Sequence, residues 1–308
     1  IIDRLNVNIA ATTEENFRKL LGANIGTYNL FQETYHRETY EAIHPRGPKH
    51  NYERQFFAHD IAISAGIGDV GLGVLYGLYD WKFELLAQII HARYLEEAYG
   101  IGPHTISFPR IKSAQGVKFT PPAAVNDAEY LRIIALSRIA VPYAGLVIST
   151  RETAALRRKA FRIGISQTSA GSSTKVGGYH HNQDDDNEGQ FALADHRPLE
   201  QVVRELLEDG FIPAFCTACE YRGRQGSIFM QFAKTGCIGP LCTANSLLSL
   251  AEYLRDATEH GFLDAATIEL GKKIIREKLF ETNPFARGFL EESAKRIFDG
   301  ENARNHYI

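Results

Sequence analysis

Between Leu5 and Ala170 the chain switches repeatedly between two spacings of apolar residues. Short runs rich in Val, Ile, Leu and Tyr predict strands over Leu5–Ala10, Gly26–Gln32, Asp69–Leu78, His104–Pro109, Gly145–Ser149 and Ile163–Ala170. Between them apolar residues recur three and four positions apart. That spacing predicts helices over Thr13–Leu21, Asn51–Ala65, Trp81–Tyr99, Asp127–Ile139 and Arg151–Ala160. Alternation of this kind implies a parallel sheet with right-handed crossovers. A closed TIM-type barrel takes eight such units. The expected fold is therefore α/β: a (β/α)8 TIM-type barrel lacking its first two units, with about six βα units present.

The pattern breaks after Gly177. His180 to Glu188 is a polar, acidic run, read as a solvated loop. Helical spacing returns at Leu199–Asp209, Leu247–Asp256, Ala265–Lys278 and Phe289–Phe298. The expected organisation is a partial barrel over residues 1–180, an acidic loop over 181–198 and a small helical C-terminal domain over 199–308. The chain opens without methionine on a strand already under way, which suggests that Ile1 lies inside a longer protein.

Composition narrows the function. A length of 308 residues with 44% hydrophobic content supports a substantial core. A net charge of −3 supplies no basic field, so nucleic acid is not an expected partner. No apolar run is long enough for a membrane span and no signal peptide is evident, which points to the cytoplasm. Four cysteines, three of them grouped, suit a metal site in a reducing compartment better than a disulfide framework.

Those three carry the most chemistry. Cys216-Thr217-Ala218-Cys219 is a Cys-x2-Cys pair, and Cys242 follows after 22 intervening residues. Three thiolates can hold three corners of a four-iron cube and leave one iron open, or form a zinc site completed by a histidine. Cys237 is read as a buried apolar thiol. In parallel α/β folds chemistry gathers at the C-terminal ends of strands. There the sequence places Glu33, Arg110, Arg151 and Ser169, and Arg151 suits a carboxylate. The glycine pairs at 71/73 and 177/178 lack phosphate-loop spacing.

Several segments together resemble the radical S-adenosylmethionine (SAM) aromatic amino-acid lyases. They are Asn6-Val7-Asn8-Ile9-Ala10, Phe31 to His36, His44-Pro45-x-Gly47-Pro48-Lys49, Gly71 to Leu78, Ser149 to Glu152 and Ile165 to Ser172. The cysteine segment, with Gly223-Arg224-Gln225-Gly226, Phe229-Met230 and Ala233-Lys234, resembles the tyrosine-lyase branch that matures FeFe-hydrogenase. Similarity runs from about the first residue to Tyr307.

The resemblance implies cleavage of L-tyrosine to p-cresol and conversion of the remainder to carbon monoxide and cyanide. It implies that Cys216, Cys219 and Cys242 hold an auxiliary 4Fe-4S cluster with an extra iron, itself bound by free cysteine and a histidine. His104 is the first choice for that histidine and His91 the second. Arg151 would bind the tyrosine carboxylate with Ser169 nearby, and Glu33 and Arg54 would contact SAM. Other hydrogenase maturation proteins would be partners.

The family's Cys-x3-Cys-x2-Cys loop, which binds a second 4Fe-4S cluster, is not among these residues. The expectation is that the loop lies upstream of Ile1 and that this chain alone does not cleave SAM. Two other readings stay open: a different radical lyase with an auxiliary cluster, and a non-catalytic iron-sulfur or zinc scaffold.

Overall fold

The computed structural model describes residues 5–112, 119–175, 178–179 and 191–300. The chain divides into two compact units: Ile1–His196 with Gln225–Met230, and Arg197–Arg224 with Gln231–Ile308. The acidic run His180 to Glu188 lies outside the described residues.

The first unit is a six-stranded parallel sheet in sequential order, a partial (β/α) barrel. The strands are β1 (Val7–Asn8), β2 (Thr27–Phe31), β3 (Asp69–Gly73), β4 (Thr105–Ser107), β5 (Gly145–Ile148) and β6 (Gln167–Thr168). Pairing places Leu30, Leu72, Ile106 and Leu146 in one row. All four are buried in the main core, which includes residues of the flanking helices. The opposite face carries Asn8, Asn29, Gly71, Thr105 and Gly145 in one row and Phe31, Gly73, Ser107, Val147 and Gln167 in the next. Period-2 alternation therefore gives an apolar outer face and a polar, small-residue inner face. The glycines are required there: a Cβ on Gly73 would lie 2.3 Å from the Phe31 ring, and one on Gly71 would lie 1.8 Å from Asn29 Oδ1.

Helix α1 (Glu14–Gly22) starts where Thr13 accepts the Asn16 N–H. The expected Asn51–Ala65 helix is two: α3 (Tyr52–Phe56), capped by Asn51, and α4 (Ala58–Ser64), parted at Phe57 (ψ 10°). Ahead of them lies α2 (Arg37–Ile43), which the sequence reading omits. Its cap is the His36 ring, which accepts the Thr39 N–H and is not one of the usual capping side chains. Helix α5 (Trp81–Tyr99) runs from the Asp80 cap to left-handed Gly100. Helix α6 (Asp127–Ala140) opens on an Asn126/Glu129 capping box, and α7 (Ala154–Ile163) on Thr153. Strand β6 is shorter than expected: α7 runs on to Ile163 and is capped by Gly164, and past Thr168 the Ser169 carbonyl accepts from buried Arg157.

The second unit is helical: α8 (Leu199–Glu208), α9 (Ala218–Tyr221), α11 (Ile238–His260), α12 (Ala265–Glu281) and α13 (Pro284–Phe298). Helix α10 (Gly226–Lys234) belongs to the first unit as far as Met230. Leu247, Leu248, Leu250 and Leu254 of α11 pack with Val203, Ile275, Leu279 and Leu290 in one core. Among the described residues no helix is long and apolar enough to cross a membrane.

Candidate functional site

The C-terminal strand ends of the first unit gather charge. After β4, Arg110 Nε donates to buried Glu152 at 2.9 Å, and a second guanidinium nitrogen reaches the other carboxylate oxygen. Lys112 adds a third contact to Glu152 at 3.2 Å, and Arg110 also pairs with exposed Asp127 at 3.0 Å. After β2, Lys49 pairs with Glu33 at 2.5 Å. Four cations, Lys49, Arg110, Lys112 and Arg151, thus share these loops with the carboxylates Glu33, Glu152 and rim Asp127.

Arg151 is the one not neutralised. It makes no ion pair among the described residues. Its guanidinium carbon sits 3.6 Å above the Phe191 ring centre, and Nη1 lies 3.5 Å from the Arg110 carbonyl. Burial lowers its pKa, against a raising influence from the nearby Glu33 and Glu152 charges. A partly desolvated arginine beside an aromatic ring and without its own carboxylate can receive an anionic ligand.

Ser169 follows β6 and is exposed. Its backbone is fixed by Arg157, which also meets Asp195 and Thr168 Oγ1 (2.5 Å). Arg54 is exposed on α3, and no hydrogen bond or ion pair among the described residues ties its side chain to Glu33. The sequence reading did not single out Glu152, Arg157 and Asp195 as a buried charge frame. Only the position of Arg110 and Glu152 just past two strand ends signalled it.

At the other end of the sheet, His104 precedes β4, and its N–H donates to the Val70 carbonyl at 2.8 Å. Its ring lies 4.4 Å from Phe229, with Nδ1 3.5 Å from Asp69 Oδ2. His91 is committed elsewhere: it is buried on α5, and Nδ1 meets the Tyr35 hydroxyl at 2.8 Å.

In the second unit the loop before α9 is anchored on α11. The Phe215 N–H donates to Ser249 Oγ at 3.1 Å, and the Phe215 ring stacks on Tyr253 with centres 4.7 Å apart. Cys216 lies on that anchored loop, Cys219 follows in α9 and Cys242 sits on α11. Cys216 Sγ accepts the Ala218 N–H at 3.3 Å. Burial raises the Cys216 pKa and pushes Cys242 up to about 11, and the neighbouring cysteine charges add to both. Three mutually repelling thiolates become stable together once a multivalent centre neutralises them.

Among the described residues no three His, Cys, Asp or Glu groups close to the spacing of a single ion. Cysteine thiolates are the donors that iron-sulfur clusters take, so the chemistry of this trio fits such a cluster. Cys237 is exposed, contrary to expectation: it caps α11 at a turn after Gly236 instead of pointing into the core.

Known proteins share this fold. A family model described as the Biotin and Thiamin Synthesis associated domain matches residues 107–212. The chain is 29% identical over 221 residues to 2-iminoacetate synthase of Escherichia coli (strain K12), covering 71% of this chain and 58% of that protein. The crystal structure of HydG, a maturase of the [FeFe]-hydrogenase, superposes with TM-score 0.92 at 46% identity, covering 100% of this chain and 65% of that one. HydG from Carboxydothermus hydrogenoformans superposes with TM-score 0.81 at 37% identity, covering 96% of this chain and 62% of that one. Methylornithine synthase, at 17% identity and TM-score 0.52 over 68% of this chain and 59% of that one, shares the fold alone.

The sheet and the structural neighbours define a partial (β/α) barrel like that of the HydG maturases. The chain is HydG-like, and it spans somewhat less than two thirds of the length of the two HydG chains it matches.

Proposed function

We propose that this chain is the substrate-binding and auxiliary-cluster portion of a hydrogenase-maturing tyrosine lyase. The observation that carries the reading is the thiol trio Cys216, Cys219 and Cys242, presented by an anchored loop, α9 and α11 in a HydG-like chain. The overall reaction cleaves L-tyrosine to p-cresol and turns the remainder into carbon monoxide and cyanide. When bound, SAM with its own 4Fe-4S cluster supplies the radical, and the auxiliary 4Fe-4S cluster supplies an open corner for an extra iron held also by free cysteine.

The chain's own residues bind and orient. Arg151 receives the tyrosine carboxylate, its charge held at the strand ends by packing on Phe191. Arg110 and Lys112 both pair with Glu152, so Glu152 does not compete as a flexible partner. Ser169, on a backbone fixed by Arg157, offers a hydroxyl beside the same ligand. Glu33 and Arg54 contact SAM. The three cysteines hold the auxiliary cluster, and His104, its Nδ1 turned toward Asp69, offers the other ring nitrogen to the extra iron.

The setting is expected to be cytoplasmic, with other hydrogenase maturation proteins as acceptors. The full-length protein, incubated anaerobically with tyrosine, SAM and reductant, is expected to form p-cresol and release carbon monoxide. Cys219→Ala should keep p-cresol and lose carbon monoxide. p-Cresol without carbon monoxide from the wild type would instead indicate a different aromatic lyase.

A further inference from the structure

Outside glycine, only Asn24 and Glu33 have positive φ among the described residues, and Glu33 lies at +68°. Asparagine visits the left-handed region readily; glutamate does so at a cost, which persists only where the surroundings over-determine it. Both flanks of Glu33 are pinned. The Gln32 N–H donates to the Gly73 carbonyl, and the Glu33 carbonyl accepts the Leu75 N–H, each at 2.9 Å. The next two residues converge on one carboxylate: Thr34 Oγ1 donates to Glu84 Oε1, and the Tyr35 N–H donates to Glu84 Oε2 at 2.8 Å. Tyr35 is fixed twice more, its carbonyl accepting from Tyr52 Oη at 2.9 Å and its hydroxyl meeting His91.

Glu84 is fully buried on α5. Among the described residues no cation pairs with it, so the donors of the Thr34–Tyr35 turn are what satisfy its charge. A buried carboxylate is tolerated only with such partners. Turn and carboxylate therefore fix each other, and the turn in turn fixes Glu33. Lys49 then meets the Glu33 carboxylate at the mouth.

We propose that Glu84 is a positioning residue: it locks Glu33 in its left-handed conformation and so aims the Glu33 carboxylate at the ligand, a role that follows only if Glu33 contacts SAM as proposed above. The test is calorimetric titration of the full-length protein with S-adenosylhomocysteine and, separately, with tyrosine. Glu84→Gln should weaken S-adenosylhomocysteine about tenfold or more and leave tyrosine affinity as in the wild type. Thr34→Val, which keeps the carboxylate and removes one donor, should give a smaller loss in the same direction, and it carries the test if Glu84→Gln does not fold.

Equal losses for both ligands would mean a merely structural role and would overturn the proposal. Wild-type affinity for S-adenosylhomocysteine in Glu84→Gln, or in Thr34→Val where it stands in, would overturn it as well. Glu33→Gln separates the two assignments. If it weakens S-adenosylhomocysteine while the Glu84 and Thr34 variants do not, Glu33 keeps its role and Glu84 loses its own. If Glu33→Gln binds normally, the Glu33 assignment falls and takes the proposal with it.

Discussion

Replacing Arg151 by methionine separates a ligand-binding arginine from a structural one. Methionine keeps the length of the side chain and can still pack on the Phe191 ring. What is lost internally is small: a cation–π contact with the guanidinium 3.6 Å above the ring, worth about 0.5–2 kcal/mol, and one long hydrogen bond at 3.5 Å. Against that loss stands the removal of a partly buried charge with no carboxylate partner, whose desolvation costs up to several kcal/mol. The two nearly cancel, so the urea midpoint should stay within about 1 kcal/mol of the wild type and tend upward.

Binding should respond very differently. A charge-assisted contact to a carboxylate is worth about 1.5–3 kcal/mol, so tyrosine should bind roughly 10- to 150-fold more weakly by calorimetry. Arg151→Lys should recover only part of this, because an ammonium cannot make the planar two-point contact. If Arg151→Met lost more than about 2 kcal/mol of stability and bound tyrosine normally, the reading of Arg151 as the carboxylate receiver would be wrong.

Further outcomes follow from the frame around the site. Glu152→Ala leaves Arg110 and Lys112 without their buried partner and should cost about 3–5 kcal/mol in denaturant unfolding, with much of it restored in Arg110→Met/Glu152→Leu. Burial lowers the His59 pKa from 6.5 to about 4. The unfolded chain therefore binds a proton that the folded one refuses. Stability attributable to His59 should fall as pH drops from about 6.5 toward 4, by about 3 kcal/mol. His59→Gln should flatten that limb; an unchanged slope would refute its neutral burial. Gly271→Ala places a Cβ 2.6 Å from Leu254 Cδ1. Overpacking of about 1–3 kcal/mol should exceed the helix-propensity gain of about 1 kcal/mol. Leu254→Val should relieve the clash, visible as non-additivity in a double-mutant cycle.

Much of the barrel was legible because its rows obey simple periods. Leu30, Leu72, Ile106 and Leu146 mark one face in sequence and in space, and Asp80 and Gly100 bracket α5 where capping chemistry says they should. What escaped was set by tertiary contact. Helix α2 begins on a histidine cap, which no propensity favours. Glu84 is 49 residues from the turn it clamps, and Arg157 meets Asp195 across 38, so local pattern carries neither.

The site divided the same way. Spacing singled out Cys216, Cys219 and Cys242, but the place of the loop that carries Cys216 and leads into α9 depends on Phe215 docking on Ser249 and Tyr253 of α11. Cys237 looked like a core residue beside Ile238, yet the turn at Gly236 leaves it in solvent.

The most direct measurement is iron and acid-labile sulfide bound per chain after anaerobic reconstitution, with zinc determined on the same sample. The account predicts bound iron and sulfide in a cysteine-ligated cluster, lost in Cys219→Ala and kept in Cys237→Ala. Tightly held zinc with no sulfide, displaced by the same Cys219→Ala change, would contradict it.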